Sequence, residues 1–183
     1  MTRAPIALSC GEPAGVGLEL AEKAWQSLRE SLVFFLIGDP THLPGTVPIV
    51  TIETPAEAAK VMSQGLPVLP LAFDGKAIPG TPDPENAAAI MDAIALGTDL
   101  TMQGQASALC TAPIHKKALK DGANFAFPGH TEYLAHLAGV KNVVMMLASE
   151  QLRVVPATIH IALSDVPSVL TPRLLRSTVE ITA

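Results

Sequence analysis

Short apolar runs that alternate with longer segments of helical period constrain this chain more than any other feature. IALSC (6–10), LVFFLIG (32–38), PIVTI (48–52), SALCTA (107–112), NVVMMLA (142–148) and LRVVPATIH (152–160) read as strands. Between the first two, LELAEKAWQSLRE (18–30) places Leu20, Ala21, Ala24, Trp25 and Leu28 on one stripe, the period of an amphipathic helix lying on a sheet. ETPAEAAKVMSQG (53–65) predicts a short, well-bounded helix, with Thr54 as N-cap, Pro55 at the first helical position, Glu57 at the capping-box position and a stop at Gly65. Strand–helix alternation of this kind builds an α/β sheet.

At 183 residues the chain suits one domain with a full core, or a piece of something larger. Nearly half the residues are apolar (49%), yet no run of eighteen could cross a bilayer, and the apolar stretch Ala4–Ser9 is too short for a secretory leader. The expected location is the cytoplasm, where Cys10 and Cys110 read as reduced thiols ending buried strands. A net charge of −5 without a basic cluster excludes nucleic acid and anionic membrane as partners, and 4% aromatics leave no base-stacking platform. From Asp74 to Pro84 runs a Pro/Gly/Asp-rich loop; the alanine-rich helix after it suits close packing on another helix or a second subunit. Thr171 and Pro172 open a last helix that continues to the end of the sequence.

Four stretches collect the residue types that chemistry needs. CGEPAGVGLEL (10–20) is a glycine-rich strand-to-helix loop whose Glu12 is a candidate ligand contact; its spacing is not a dinucleotide fingerprint, and Pro13 removes one N–H. CTAPIHKKALKDG (110–122) brings His115 and Lys116 to a helix start, where a phosphate or carboxylate could be held. Nothing marks Cys110 as an exposed thiolate, which argues against a cysteine nucleophile. In FPGHTEYLA (127–135), Pro128 and Gly129 turn the chain sharply into a helix whose first turn carries His130, Thr131 and Glu132, a set suited to an oxygen-rich anion. ATIHIALSDV (157–166) puts His160 at the end of an expected strand, as a core histidine or a metal ligand.

In this order and spacing, GEPAGVG, TAPIHK, FPGHTEYLA, VVMMLASEQLRV and ATIHIALSDV resemble the 4-hydroxythreonine-4-phosphate dehydrogenase family of pyridoxal phosphate biosynthesis. The resemblance implies a three-layer α/β/α, isocitrate/isopropylmalate dehydrogenase-like fold with an incomplete second domain. Residues 1–183 would then be the N-terminal portion of a two-domain homodimeric enzyme, forming one domain with an incomplete interdomain cleft. It further implies NAD as cofactor and a divalent metal, zinc with magnesium or cobalt as alternatives. A small phosphorylated substrate would be bound by His130 and Thr131, with His160 as one metal ligand. The family's Asn-Pro-His and His-Asp-Gln stretches, which carry the other metal histidines, do not occur in these 183 residues, so the chain alone is expected to be inactive. Leu18 and Ala112 stand where the family often has proline and glycine. The alternatives are a paralogue acting on another phosphorylated four-carbon acid or a dihydrodiol, and a non-catalytic short form that dimerises or binds a ligand.

Overall fold

The computed structural model describes residues 3–183, which form two compact units, one ending at Phe127 and the other spanning Pro128–Ala183. The first is built on five parallel strands, β1 (Ile6–Ser9), β2 (Phe34–Gly38), β3 (Ile49–Thr51), β4 (Leu66–Pro70) and β5 (Ala108–Thr111), in the order β3-β4-β2-β1-β5. β2 is central and all five of its residues are buried, which is why FFLIG shows no alternation: a parallel strand covered on both faces is apolar throughout. Full burial of Phe35, Leu36 and Ile37 stabilises the unit by about 1.5–3 kcal/mol for each side chain.

Helix α1 (Gly17–Leu28) and helix α2 (Ala58–Val61) follow β1 and β3, and the Trp25 indole N–H donates to the Met62 carbonyl at 2.9 Å, joining the two. Ahead of α2, the Thr54 hydroxyl donates to Glu57 Oε1 at 2.9 Å, and Glu57 Oε2 accepts from the Glu53 N–H at 3.1 Å. Thr54 makes no side-chain cap, and the first turn, Pro55–Glu57, is a 3-10 turn ahead of α2, so the expected helix is split. Helix α3 (Ala87–Met102) crosses the opposite face: a Cβ at Gly97 would lie 2.6 Å from Leu109 Cδ1 and 3.3 Å from Ile37 Cδ1, so a larger residue there would displace the ends of those side chains. The expected helical neighbour of the alanine-rich segment is α4 (Lys116–Ala123), where Gly122 meets Ala87 and the Pro84 carbonyl. With α1 and α3 on opposite faces, this unit is an α/β/α sandwich.

The second unit holds α5 (His130–Leu137), an antiparallel pair β6 (Leu147–Ala148) and β7 (Arg153–Val154), α6 (Val166–Val169) and α7 (Pro172–Thr182). Thr171 caps α7 as expected, its hydroxyl accepting from the Leu174 N–H at 3.2 Å.

Four expectations need correction. β4 is absent from the strands expected of the sequence, because Pro67 and Pro70 disguise LPVLP; the fold nonetheless buries Pro67 inside the strand, in register with Val50. NVVMMLA and LRVVPATIH pair over only two residues each, since among the described residues of that unit no further strand extends their ladder. His160 therefore ends no strand; it is exposed, with left-handed backbone at φ 57°. Cys110 is exposed rather than buried, because β5 is the edge strand and the groove between it and α1, lined by Leu8, Leu20, Ala24 and Leu28, is uncovered.

Candidate functional site

Ligands in open α/β sheets bind outside the carboxyl ends of the strands, where the strand order reverses. In the first unit that point lies between β1 and β5, and three loops converge on it. The loop after β1 meets the loop after β5 through the Glu12 N–H, which donates to the Pro113 carbonyl at 2.9 Å. It meets the loop before α3 through the Gly80 N–H, which donates to the Ala14 carbonyl at 2.8 Å. Gly11, at φ 68°, makes the approach possible: a side chain there would be strained and would strike the Pro113 carbonyl. The glycines of GEPAGVG thus weld loops together.

Glu12 is 5% exposed. Its Oε1 accepts from the Ala14 N–H at 3.1 Å, while Oε2 has no hydrogen-bond partner. Burial pushes the carboxyl above the usual glutamate range, the Ala14 N–H and His115 pull it back, and Asp83 pushes it up again. Ser9 Oγ, at the end of β1, is likewise buried without a partner. Cys10 beside them is inert: burial raises its thiol to about 12, against a small lowering from its own hydrogen bond and a further push from Glu12.

His115 serves as N-cap of α4, its Nδ1 accepting from the Ala118 N–H at 3.1 Å, which puts the neutral ring's proton on Nε2. Lys116, the first residue of α4, is exposed. Sequence reasoning missed Asp83 and Asn86. Asp83 Oδ1 caps the turn before α3 by accepting from the Glu85 N–H at 3.1 Å. Buried Asn86 fixes the Asp74–Pro84 loop by accepting from the Gly75 N–H at 2.9 Å and donating to the Lys76 carbonyl at 3.1 Å. The Asp-Pro pair at 83–84 was the available signal.

In the second unit, Gly129 is the N-cap of α5 and caps it with no side chain, so His130, Thr131 and Glu132 fill the first turn as the sequence suggested. His130 and Thr131 are half-buried, and Tyr133 is the buried residue of the helix. Among the described residues no three His, Cys, Asp or Glu side chains come together as a metal site, and His160 by itself falls short of the three protein ligands a catalytic zinc requires. No helix among them is long and apolar enough to cross a membrane.

The profile of the family described as pyridoxal phosphate biosynthetic protein PdxA matches residues 29–183. The chain is 58% identical over 184 residues to the 4-hydroxythreonine-4-phosphate dehydrogenase of Ruegeria sp. (strain TM1040), covering 100% of this chain and 56% of that protein. To its counterpart in Roseobacter denitrificans it is 54% identical, covering 98% and 55%. A crystal structure of a 4-hydroxythreonine-4-phosphate dehydrogenase from Burkholderia phymatum superposes with a TM-score of 0.87 at 34% identity, over 98% of this chain and 57% of that one. A terephthalate 1,2-cis-dihydrodiol dehydrogenase from Burkholderia xenovorans shares the fold, at TM-score 0.68 and 20% identity. The chain spans about half the length of the curated relatives it matches.

Proposed function

The chain belongs to the PdxA family of pyridoxal phosphate biosynthetic proteins, and from that premise we propose that it serves the NAD-dependent oxidation of 4-phosphohydroxy-L-threonine. In that reaction the C3 hydroxyl becomes a ketone and the resulting β-keto acid loses carbon dioxide. The observation that supports the reading best is the intact Gly129-His130-Thr131 entry to α5 within a chain 58% identical to a named dehydrogenase.

His130 and Thr131 bind the substrate. An imidazole and a hydroxyl at the uncapped start of α5 supply hydrogen bonds to oxygen atoms where the helix N-terminus favours negative charge. Glu12, His115 and Lys116 are the contacts proposed for the first unit; His115, already an N-cap, acts there by setting the start of α4. NAD, when bound, accepts the hydride, while the protein orients donor and acceptor. The uncapped start of α1 and the unpartnered Glu12 Oε2 suit its phosphates and its hydrogen-bond donors. His160 is proposed as one ligand of a divalent metal, zinc foremost; among the described residues no group of three potential ligands surrounds it. The enzyme works as a homodimer in the cytoplasm. A second reading is a ligand-binding form without turnover.

Calorimetric titration with 4-phosphohydroxy-L-threonine tests the substrate site. His130→Ala and Thr131→Ala are each expected to weaken binding by roughly tenfold, the size of one charge-assisted hydrogen bond. Unchanged affinity in both variants would remove the pair from the site. Absorbance at 340 nm in the same samples, with NAD added, separates the two readings, since turnover would exclude the second.

A further inference from the structure

We propose that Glu12 is a cofactor-contacting residue, its Oε2 accepting a hydrogen bond from a ribose hydroxyl or the carboxamide of a pyridine nucleotide bound at the carboxyl ends of β1 and β5. The inference rests on the NAD-dependent reading above and assigns one of its contacts.

Three observations converge on this carboxylate. Glu12 is 5% exposed, and the fold employs only half of it: Oε1 closes the loop on the Ala14 N–H, whereas Oε2 is buried without a donor. A buried acceptor without a donor is a cost that the fold does not recover alone, and a ligand's hydroxyl or amide N–H would recover it. The carboxylate also lies in the loop between β1 and α1, where the strand order reverses, the place at which α/β sheets bind nucleotides. Finally, α1 begins at Gly17, close behind this loop, with Val16 as N-cap and no side-chain cap, so first-turn N–H groups are available for phosphate oxygens. A simple anion would be repelled by Glu12. A pyridine nucleotide carries both phosphates for the helix end and neutral donors for the carboxylate.

The loop is rigid enough for such a contact. The Glu12 N–H is held by Pro113, and the Ala14 carbonyl by Gly80, so the carboxylate has a fixed position before any ligand arrives.

Equilibrium titration of the full chain with NAD tests the assignment, comparing the wild type with Glu12→Gln. Glutamine retains an oxygen for the Ala14 N–H and presents an NH2 group where the ligand's donor would arrive. Binding should fall about tenfold or more, with the melting temperature maintained. A merely structural role would not impose a pH profile. Affinity of the wild type should fall as pH drops through the raised Glu12 range, and Glu12→Gln should lack that fall. The charges that face Glu12 are His115 at the start of α4 and Asp83 before α3; both remain in the variant, so the difference isolates Glu12. Equal NAD affinity in the two proteins would overturn the assignment and leave the dehydrogenase reading standing. A folded wild-type chain that binds no NAD would overturn both the assignment and the cofactor reading for this chain.

Discussion

The two units of this chain use apolar residues in opposite ways. In the first, residues from β1, β2, β4, α1 and α3 form a core buried to a few per cent exposure, around Phe35, Leu36, Ile37 and Leu66. In the second, from Pro128 on, Tyr133 alone is a buried hydrophobic among the described residues. Fifteen of the twenty-one exposed large hydrophobics among the described residues lie there, Leu163 at 87% exposure being the extreme. A hydrophobic pattern thus becomes a core only where a second layer covers it, and residues proposed to bind substrate and metal sit in the unit that lacks this cover. The first unit has a buried core of its own; among the described residues of the second, Tyr133 is the one buried hydrophobic.

Breaking the core gives the largest expected effect. Leu66→Ala should destabilise the first unit by about 2–5 kcal/mol, whereas Leu163→Ala should stay within roughly 0.5 kcal/mol; urea midpoints followed by Trp25 fluorescence measure both. Similar losses in the two variants would erase the contrast. Thr171→Ala should reduce the stability of α7 by about 1 kcal/mol, visible in the exchange of residues 172–182, without moving the Trp25 transition. A shifted Trp25 transition would mean that the units unfold together.

The smallest effect concerns Glu12 and pH. Its carboxyl is raised in the folded state, so folding favours the protonated form; stability is greatest below the unfolded glutamate range and declines as pH rises through the folded value. Glu12→Gln should lack that decline and be no less stable than the wild type at neutral pH. A clear loss of stability would show that Glu12 acts as a structural acid alone.

Much of the first unit was legible because its signals are local. The stripe from Leu20 to Leu28 and the unbroken LVFFLIG run report helix and buried strand without reference to distant residues. β4 was not, since two prolines in five residues contradict strand propensity, and only its place between β2 and β3 overrides them. The apolar runs at 142–148 and 152–160 carry the same local signal as β2, yet form only a two-residue ladder, because burial depends on a partner that no sequence window reveals. At the candidate site, the place of Glu12 in a strand-to-helix loop was legible, but the close approach of Gly11 to Pro113 and the N-cap role of His115 were not. A single histidine at a helix start reads the same either way.

Amide hydrogen exchange along the full chain, read residue by residue in the absence of ligand, tests the contrast between the units most directly. The amides of β1, β2 and β4 should exchange only on global unfolding, while those of 140–170 should exchange orders of magnitude faster. Protection across 140–170 equal to that of β2 would contradict the contrast between a first unit with a buried core and a second unit whose apolar residues are exposed.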